Sequence, residues 1–116
     1  MDTMRVLITG GTGFVGGWTA KAIADAGHRP RFLVRNPAGL HTSVERLGVD
    51  VSDYVVGDIT DAESVREALR GCDAVVHAAA VVATDPRQTE QMLATNSAGA
   101  HNVLGGAVEL GLDPII

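Results

Sequence analysis

Arg5-Val-Leu-Ile-Thr9-Gly10-Gly11-Thr12-Gly13-Phe14-Val15-Gly16 is the stretch that decides the fold of this chain. A short run of strand-forming residues stops at glycine, and Phe14 to Ala26 then follows helical spacing up to Gly27, which suits the left-handed residue that ends a helix. On that helix Phe14, Val15, Trp18, Ala22 and Ile23 are expected to turn their bulk toward a core. The order is strand, glycine turn, helix.

The glycines at 10, 13 and 16 are spaced three and three apart within this context. A side chain at Gly10 would obstruct the tight turn, one at Gly13 would keep the backbone from a pyrophosphate, and Gly16 lets the helix pack closely on the strand. Gly11, Thr12, Phe14 and Val15 complete a corner whose helix N-terminus offers unbonded N–H groups and partial positive charge to phosphates. The corner therefore reads as a dinucleotide site, against the plainer alternative of a glycine turn with no ligand. A Walker-type phosphate loop fits less well, because Gly17-Trp18 stands where that loop needs Lys and Ser or Thr.

Outward from the corner, Pro30 to Val34 reads as a second strand, and Asn36-Pro-Ala-Gly39 as a turn before a short helix near His41 to Leu47. Val51 to Val56 is expected to form a third strand ending at Gly57-Asp58. Thr60-Asp-Ala-Glu63 has the capping-box pattern, with Thr60 as the cap and Val65, Ala68 and Leu69 as the inner stripe of the next helix. Ala74 to His77 reads as the fourth strand. The longest helix is expected from about Arg87 to Leu110, with Leu93, Ala100, Val103, Leu104, Ala107 and Leu110 in phase, and Leu112 to Ile116 as the beginning of a fifth strand. Such alternation gives an α/β fold, a Rossmann-type doubly wound parallel sheet of strand order 3-2-1-4 with the fifth strand outside the fourth. Ligands bind such sheets where the chain reverses direction, at the carboxyl ends of strands 1 and 4.

The end of the second strand bears on the choice of cofactor. An acid there would pair with the ribose hydroxyls of NAD, but Arg35 stands nineteen residues after Gly16, and a guanidinium favours the 2′-phosphate of NADP. NADP is expected to be preferred, with NAD possible; a solvated loop cation is the alternative reading. Asp58 could accept the adenine amine while Ile59 packs on the ring. Its rival role is to cap the following helix, a task Thr60 also suits.

A length of 116 residues allows one domain, and 46% apolar content with only 3% aromatics requires a core of Val, Leu, Ile and Ala. A net charge of −5 argues against a nucleic-acid partner. Cys72 is the only cysteine, and His28, His41, His77 and His101 have no metal-ligand spacing, so no metal site is expected and a reducing cytoplasm fits. No secretion signal or membrane span is legible.

Four segments, Thr9 to Gly16, Gly57-Asp58-Ile59, Asp73-Ala-Val-Val-His77-Ala-Ala-Ala80 and Asn96-Ser-Ala-Gly99-Ala-His-Asn-Val-Leu104, together resemble the extended short-chain dehydrogenase/reductase family, the NAD-dependent epimerase/dehydratase group. The sugar-epimerase-like and dihydroflavonol-reductase-like branches are the most similar in flavour. The resemblance implies that Ala78, Ala79 and Ala80 line the cofactor crevice and that Asn96 helps order a hydrogen-bond or water relay; a structural hydrogen bond is the alternative for Asn96. His77 is read as structural. The family's catalytic residues are a Ser or Thr at the end of the fifth strand and a Tyr-x-x-x-Lys on the next helix. None is present: Tyr54 is the only tyrosine and is followed four residues on by Asp58. Residues 1–116 are therefore expected to be the N-terminal portion of an NAD(P)-binding domain, without catalytic residues of its own. The longer parent would act by hydride transfer on a small-molecule substrate, and a non-catalytic dinucleotide-binding or redox-sensing module is the rival. Family members often pair through helices, including the long fourth one, which leaves a homodimer open.

Overall fold

The computed structural model describes residues 3–79 and 85–116. β1 (Arg5–Thr9) leads through the glycine corner into α1 (Phe14–Asp25), and β2 (Arg29–Val34) into α2 (Ala38–Ser43) and a 3-10 turn at Glu45–Leu47. β3 (Tyr54–Val56), α3 (Ala62–Leu69) and β4 (Ala74–His77) follow, then a 3-10 turn at Pro86–Gln88 and α4 (Thr89–Glu109). The strands pair in parallel in the order β3-β2-β1-β4, as the alternation predicts. Thr9 stands opposite Leu33 on one side and His77 on the other, which brings the carboxyl ends of the three central strands level at one rim. Beyond β4, Ile115 bridges Val75 in parallel and Ile116 N–H donates to Val75 O at 2.9 Å, so the expected fifth strand begins where the sequence puts it.

Side chains alternate across a strand, and here both faces of the sheet are covered, which is why Val6 to Ile8, Phe32 to Val34 and Ala74 to Val76 read as continuous apolar runs within their strands. On one face Val6, Ile8, Phe32 and Val34 meet Ala20 of α1, Leu40 and Val44. On the other Leu7, Leu33 and Val75 meet Val65 and Leu69 of α3 and Val103 and Ala107 of α4.

The two sheet-flanking helices at the site depart from their expected faces. In α1 the buried residues are Gly16, Gly17 and Ala20, while Phe14 is 82% and Val15 68% exposed and Trp18 and Ala22 also face outward. Of the five expected core residues only Ile23 packs partly against the core. The reason is distance: α1 approaches the corner so closely that its inner face admits only glycine and alanine. In α4 the buried positions are Gly99, Val103 and Ala107, and Leu93, Leu104 and Leu110 are exposed.

Local hydrogen bonds moved three boundaries. Asn36 Oδ1 accepts the Ala38 N–H at 3.0 Å and starts α2 earlier than expected. Asp50 Oδ1 accepts the Ser52 N–H at 2.9 Å, and this turn delays β3 to Tyr54 although Val51 is buried in the core. The cap of α3 is Asp61, which accepts the Glu63 N–H at 3.1 Å and the Ser64 hydroxyl at 3.0 Å; Thr60 is not the cap.

Candidate functional site

A cleft of about 870 Å³ opens at the carboxyl rim of the sheet. Gly10, Gly11, Thr12 and Gly13 line it from the β1 corner, Arg35 and Asn36 from the end of β2, Asp58, Ile59 and Thr60 from the loop after β3, and Ala78 and Ala79 from the end of β4. Most of the residues singled out in the sequence thus meet in one place. Phe14, Val15, Gly16 and Asn96 are not among the lining residues: the first two face outward, Gly16 is buried behind the corner, and Asn96 is half-buried on α4. Ala80 lies outside the described residues. Gln88, Gln91, Met92 and Thr95 form a further wall that the sequence reading missed. Their spacing of three, four and seven from Gln88, which puts them on one helical face, was the available signal.

Two contacts make glycine necessary at the corner. Gly10 has φ +73°, and a Cβ there would lie 2.6 Å from Ala79 N. A Cβ on Gly16 would lie 2.0 Å from Gly10 O. The backbone of β1, the start of α1 and the end of β4 are therefore in direct contact. Gly13 is the N-cap of α1 and no side chain caps it, so the first-turn N–H groups keep their bonding capacity and the positive end of the helix dipole.

Thr9, fully buried at the end of β1, holds the opposite wall. Its Oγ1 is 2.7 Å from His77 Nδ1 and accepts the Ala79 N–H at 3.3 Å, while its main-chain oxygen accepts the Ala78 N–H at 3.2 Å. Burial pushes the His77 imidazole below its ordinary pKa of 6.5.

Arg35 is exposed and makes no hydrogen bond or ion pair among the described residues, which leaves its guanidinium available to the cleft. Asp58 Oδ1 accepts both the Thr60 N–H at 2.9 Å and the Thr60 hydroxyl at 2.8 Å. These bonds hold the Asp58 carboxyl below the usual range against a small opposing burial effect, and the positive charge of Arg35 acts in the same direction. Helix α4 fixes the same loop: Asn102 Nδ2 donates to Ile59 O at 2.9 Å, and a Cβ on Gly99 would meet Ile59 Cδ1 at 2.5 Å. Both residues belong to a segment already singled out, but their task was not legible without the loop they hold.

Among the described residues no group of three His, Cys, Asp or Glu could hold a metal ion, and no helix is long and apolar enough to cross a membrane. Tyr54 is exposed on the edge strand β3 and does not line the cleft.

This architecture recurs in known proteins. The chain is 34% identical to cinnamoyl-CoA reductase 1 of Petunia hybrida over 96% of its own length and 33% of that protein's. It is 30% identical to a putative dihydroflavonol 4-reductase of Synechocystis over 91% of this chain and 29% of the relative. The chain thus spans about a third of the relatives it matches. Among solved structures, the Bordetella bronchiseptica enzyme WbmG in complex with NAD and UDP superposes with a TM-score of 0.77 at 28% identity, over 98% of this chain and 36% of that one. A short-chain dehydrogenase/reductase superfamily protein of Agrobacterium tumefaciens with bound NAD gives a TM-score of 0.76 at 27% identity, over 96% and 31%. Residues 6–116, which carry the glycine corner, the Asp58 loop and the α4 segment that braces it, match the family profile throughout, and the chain belongs to the NAD dependent epimerase/dehydratase family.

Proposed function

We propose that the cleft binds NAD(P), with NADP preferred, and that the chain is the nucleotide-binding front part of a longer epimerase, dehydratase or reductase. The observation that carries this reading is the glycine corner itself. Uncapped amides of α1 open beside a cleft that also presents an unpaired guanidinium and a carboxylate. The fit can be tested at the backbone: Cβ atoms at Gly10 or Gly16 would fill the space that lets the corner close.

The amides of residues 11, 12, 14 and 15 would face the pyrophosphate, the Gly13 N–H being held by Gly10 O at 3.0 Å, and Gly16 would keep α1 close enough for them to do so. Arg35 would bond a 2′-phosphate, as a delocalised, always-charged donor fork suits. Asp58 would accept from the adenine amine beside Ile59. Ala78, Ala79 and Ala80 would admit the adenosine moiety closely, and Asn96 would order polar contacts near it. Such a cofactor supplies hydride transfer when bound. This chain's residues bind and orient it, and the sequence holds no Tyr-x-x-x-Lys pair to move a proton. The 116-residue chain is accordingly expected to bind without turnover, with substrate contacts supplied by the rest of the parent protein. That the chain spans about a third of its relatives supports this division. The exposed Leu93, Leu104 and Val108 on α4 fit pairing of two copies through that helix, and the lone Cys72 fits a cytoplasmic setting.

Titration calorimetry with NADP and NAD tests the assignment. NADP is expected to bind more tightly, and Arg35→Asp to erase or reverse the difference. Equal affinities before and after the change overturn the NADP reading, and absence of binding by either nucleotide overturns the site.

A further inference from the structure

We infer that His77 is a positioning residue for the cleft: its unprotonated Nδ1 orients the Thr9 hydroxyl, which holds the Ala78–Ala79 wall, so protonating the imidazole weakens dinucleotide binding. This rests on the cofactor reading given above.

The inference follows from counting donors at one oxygen. The Ala79 N–H can only donate, so Thr9 Oγ1 accepts from it at 3.3 Å, and the single hydroxyl proton is left for His77 Nδ1 at 2.7 Å. Thr9 Oγ1 has a second lone pair and could accept from an Nδ1–H as well, but the buried hydroxyl proton would then have no acceptor among the described residues. A lone pair on Nδ1 is the arrangement that satisfies all three groups. In the imidazolium both ring nitrogens carry protons, Nδ1 becomes a donor to Thr9 Oγ1, and the hydroxyl proton loses its acceptor in a fully buried position. The strained element is the one that lines the cleft. Ala79 N lies where only a glycine at position 10 leaves room, so displacement of this wall changes the corner as well.

Neither covering helix gives the imidazole a compensating side-chain charge. Thr9 and His77 alternate with Leu7 and Val75, and so share the sheet face covered by α3 and α4. The titratable groups of α4, Glu90, His101 and Glu109, are exposed, as are Glu63, Arg66 and Glu67 of α3. On the flank the Ile116 main-chain oxygen accepts the His77 N–H at 2.7 Å, which places the terminal carboxyl group of this chain beside β4. Burial alone accounts for the lowered imidazole pKa.

If the dinucleotide binds only the unprotonated form, its apparent Kd rises about tenfold for each pH unit below the folded imidazole's pKa. The test is the Kd for NAD, which lacks the 2′-phosphate and its own pKa of about 6, measured from about pH 8 to pH 5. Wild-type affinity is expected to fall on acidification. His77→Asn, which presents an amide oxygen to Thr9 and does not titrate, is expected to give a flat profile. Thr9→Val is expected to bind more weakly at neutral pH with a flat profile, and Thr9→Ser to restore both affinity and slope. A flat wild-type profile, or the same slope in His77→Asn, overturns the inference. The Ala79 amide gives a readout that does not depend on the cofactor. Its hydrogen-exchange protection in the free chain is expected to fall as His77 protonates, followed by NMR. Protection that ignores the His77 titration overturns the inference even if no dinucleotide binds, whereas absence of binding with intact coupling refutes only the cofactor reading.

Discussion

Gly16→Ala adds one methyl group to the inner face of α1, where its Cβ would lie 2.0 Å from Gly10 O and 2.6 Å from Gly10 C. Both are main-chain atoms that cannot rotate aside. Ordinary van der Waals contact begins near 3.4 Å, so the helix must retreat by more than an ångström. Overpacking costs about 1–3 kcal/mol, and a rigid neighbour puts this case at the upper end, while the better helix propensity of alanine offsets about 1 kcal/mol. The net loss of about 2 kcal/mol corresponds to a fall in Tm on the order of 10 °C for a domain of this size. Gly17→Ala is the control. Its Cβ would be 3.4 Å from Gly11 O and 3.9 Å from Leu47 Cδ1, both ordinary contacts, so only the propensity gain remains and Tm is expected to rise by about 4–8 °C. Thermal melts followed by circular dichroism separate the two. Calorimetry with NADP, run well below both transitions, is expected to show weaker binding for Gly16→Ala alone, because the retreating helix carries its amides away from the corner. Equal Tm values for the two variants, or wild-type affinity in Gly16→Ala, would refute the close-approach argument.

Other expectations follow from the same contacts. Asn102→Ala removes the donor to Ile59 O and is expected to destabilise the fold by about 1–3 kcal/mol, read as a lower urea midpoint; an unchanged midpoint would show that α4 does not brace the Asp58 loop. Burial lowers the His77 pKa, so its favourable contribution is present above the ordinary value of 6.5 and is lost as pH falls through the lower folded value. Urea midpoints are therefore expected to drop on mild acidification, and less so in His77→Asn; equal drops would contradict this. A homogeneous preparation of the 116-residue chain is expected to show no oxidation or reduction of NADP(H) with any substrate, and measurable turnover would overturn that.

The strand order, the place of the cleft and the glycine corner were legible because they rest on backbone requirements. Glycines at 10 and 16 and apolar strands buried on both faces leave few other arrangements. The faces of α1 and α4 were misread because helical periodicity assigns large apolar residues to the core, and that rule assumes a normal spacing between helix and sheet. At α1 the spacing is set by Gly16, so Phe14, Val15 and Trp18 have no room inside. At α4 Val103 and Ala107 face the sheet, while Leu93, Leu104 and Leu110 are displaced outward from the expected stripe. The cap of α3 was one residue off because Thr60 and Asp61 both carry capping oxygens, and only the tertiary position of Asp58 commits Thr60 elsewhere. The Thr9–His77 contact joins residues at the ends of two strands 68 positions apart. No local pattern encodes it.

The most direct test of the central claim is a map of backbone amide chemical shifts during titration of the chain with NADP. Saturable shifts concentrated at residues 11–15, Arg35, Asp58 to Thr60 and Ala78-Ala79 are the expected result. Shifts confined to other surfaces, or a spectrum unchanged at millimolar nucleotide, would contradict the assignment of this cleft.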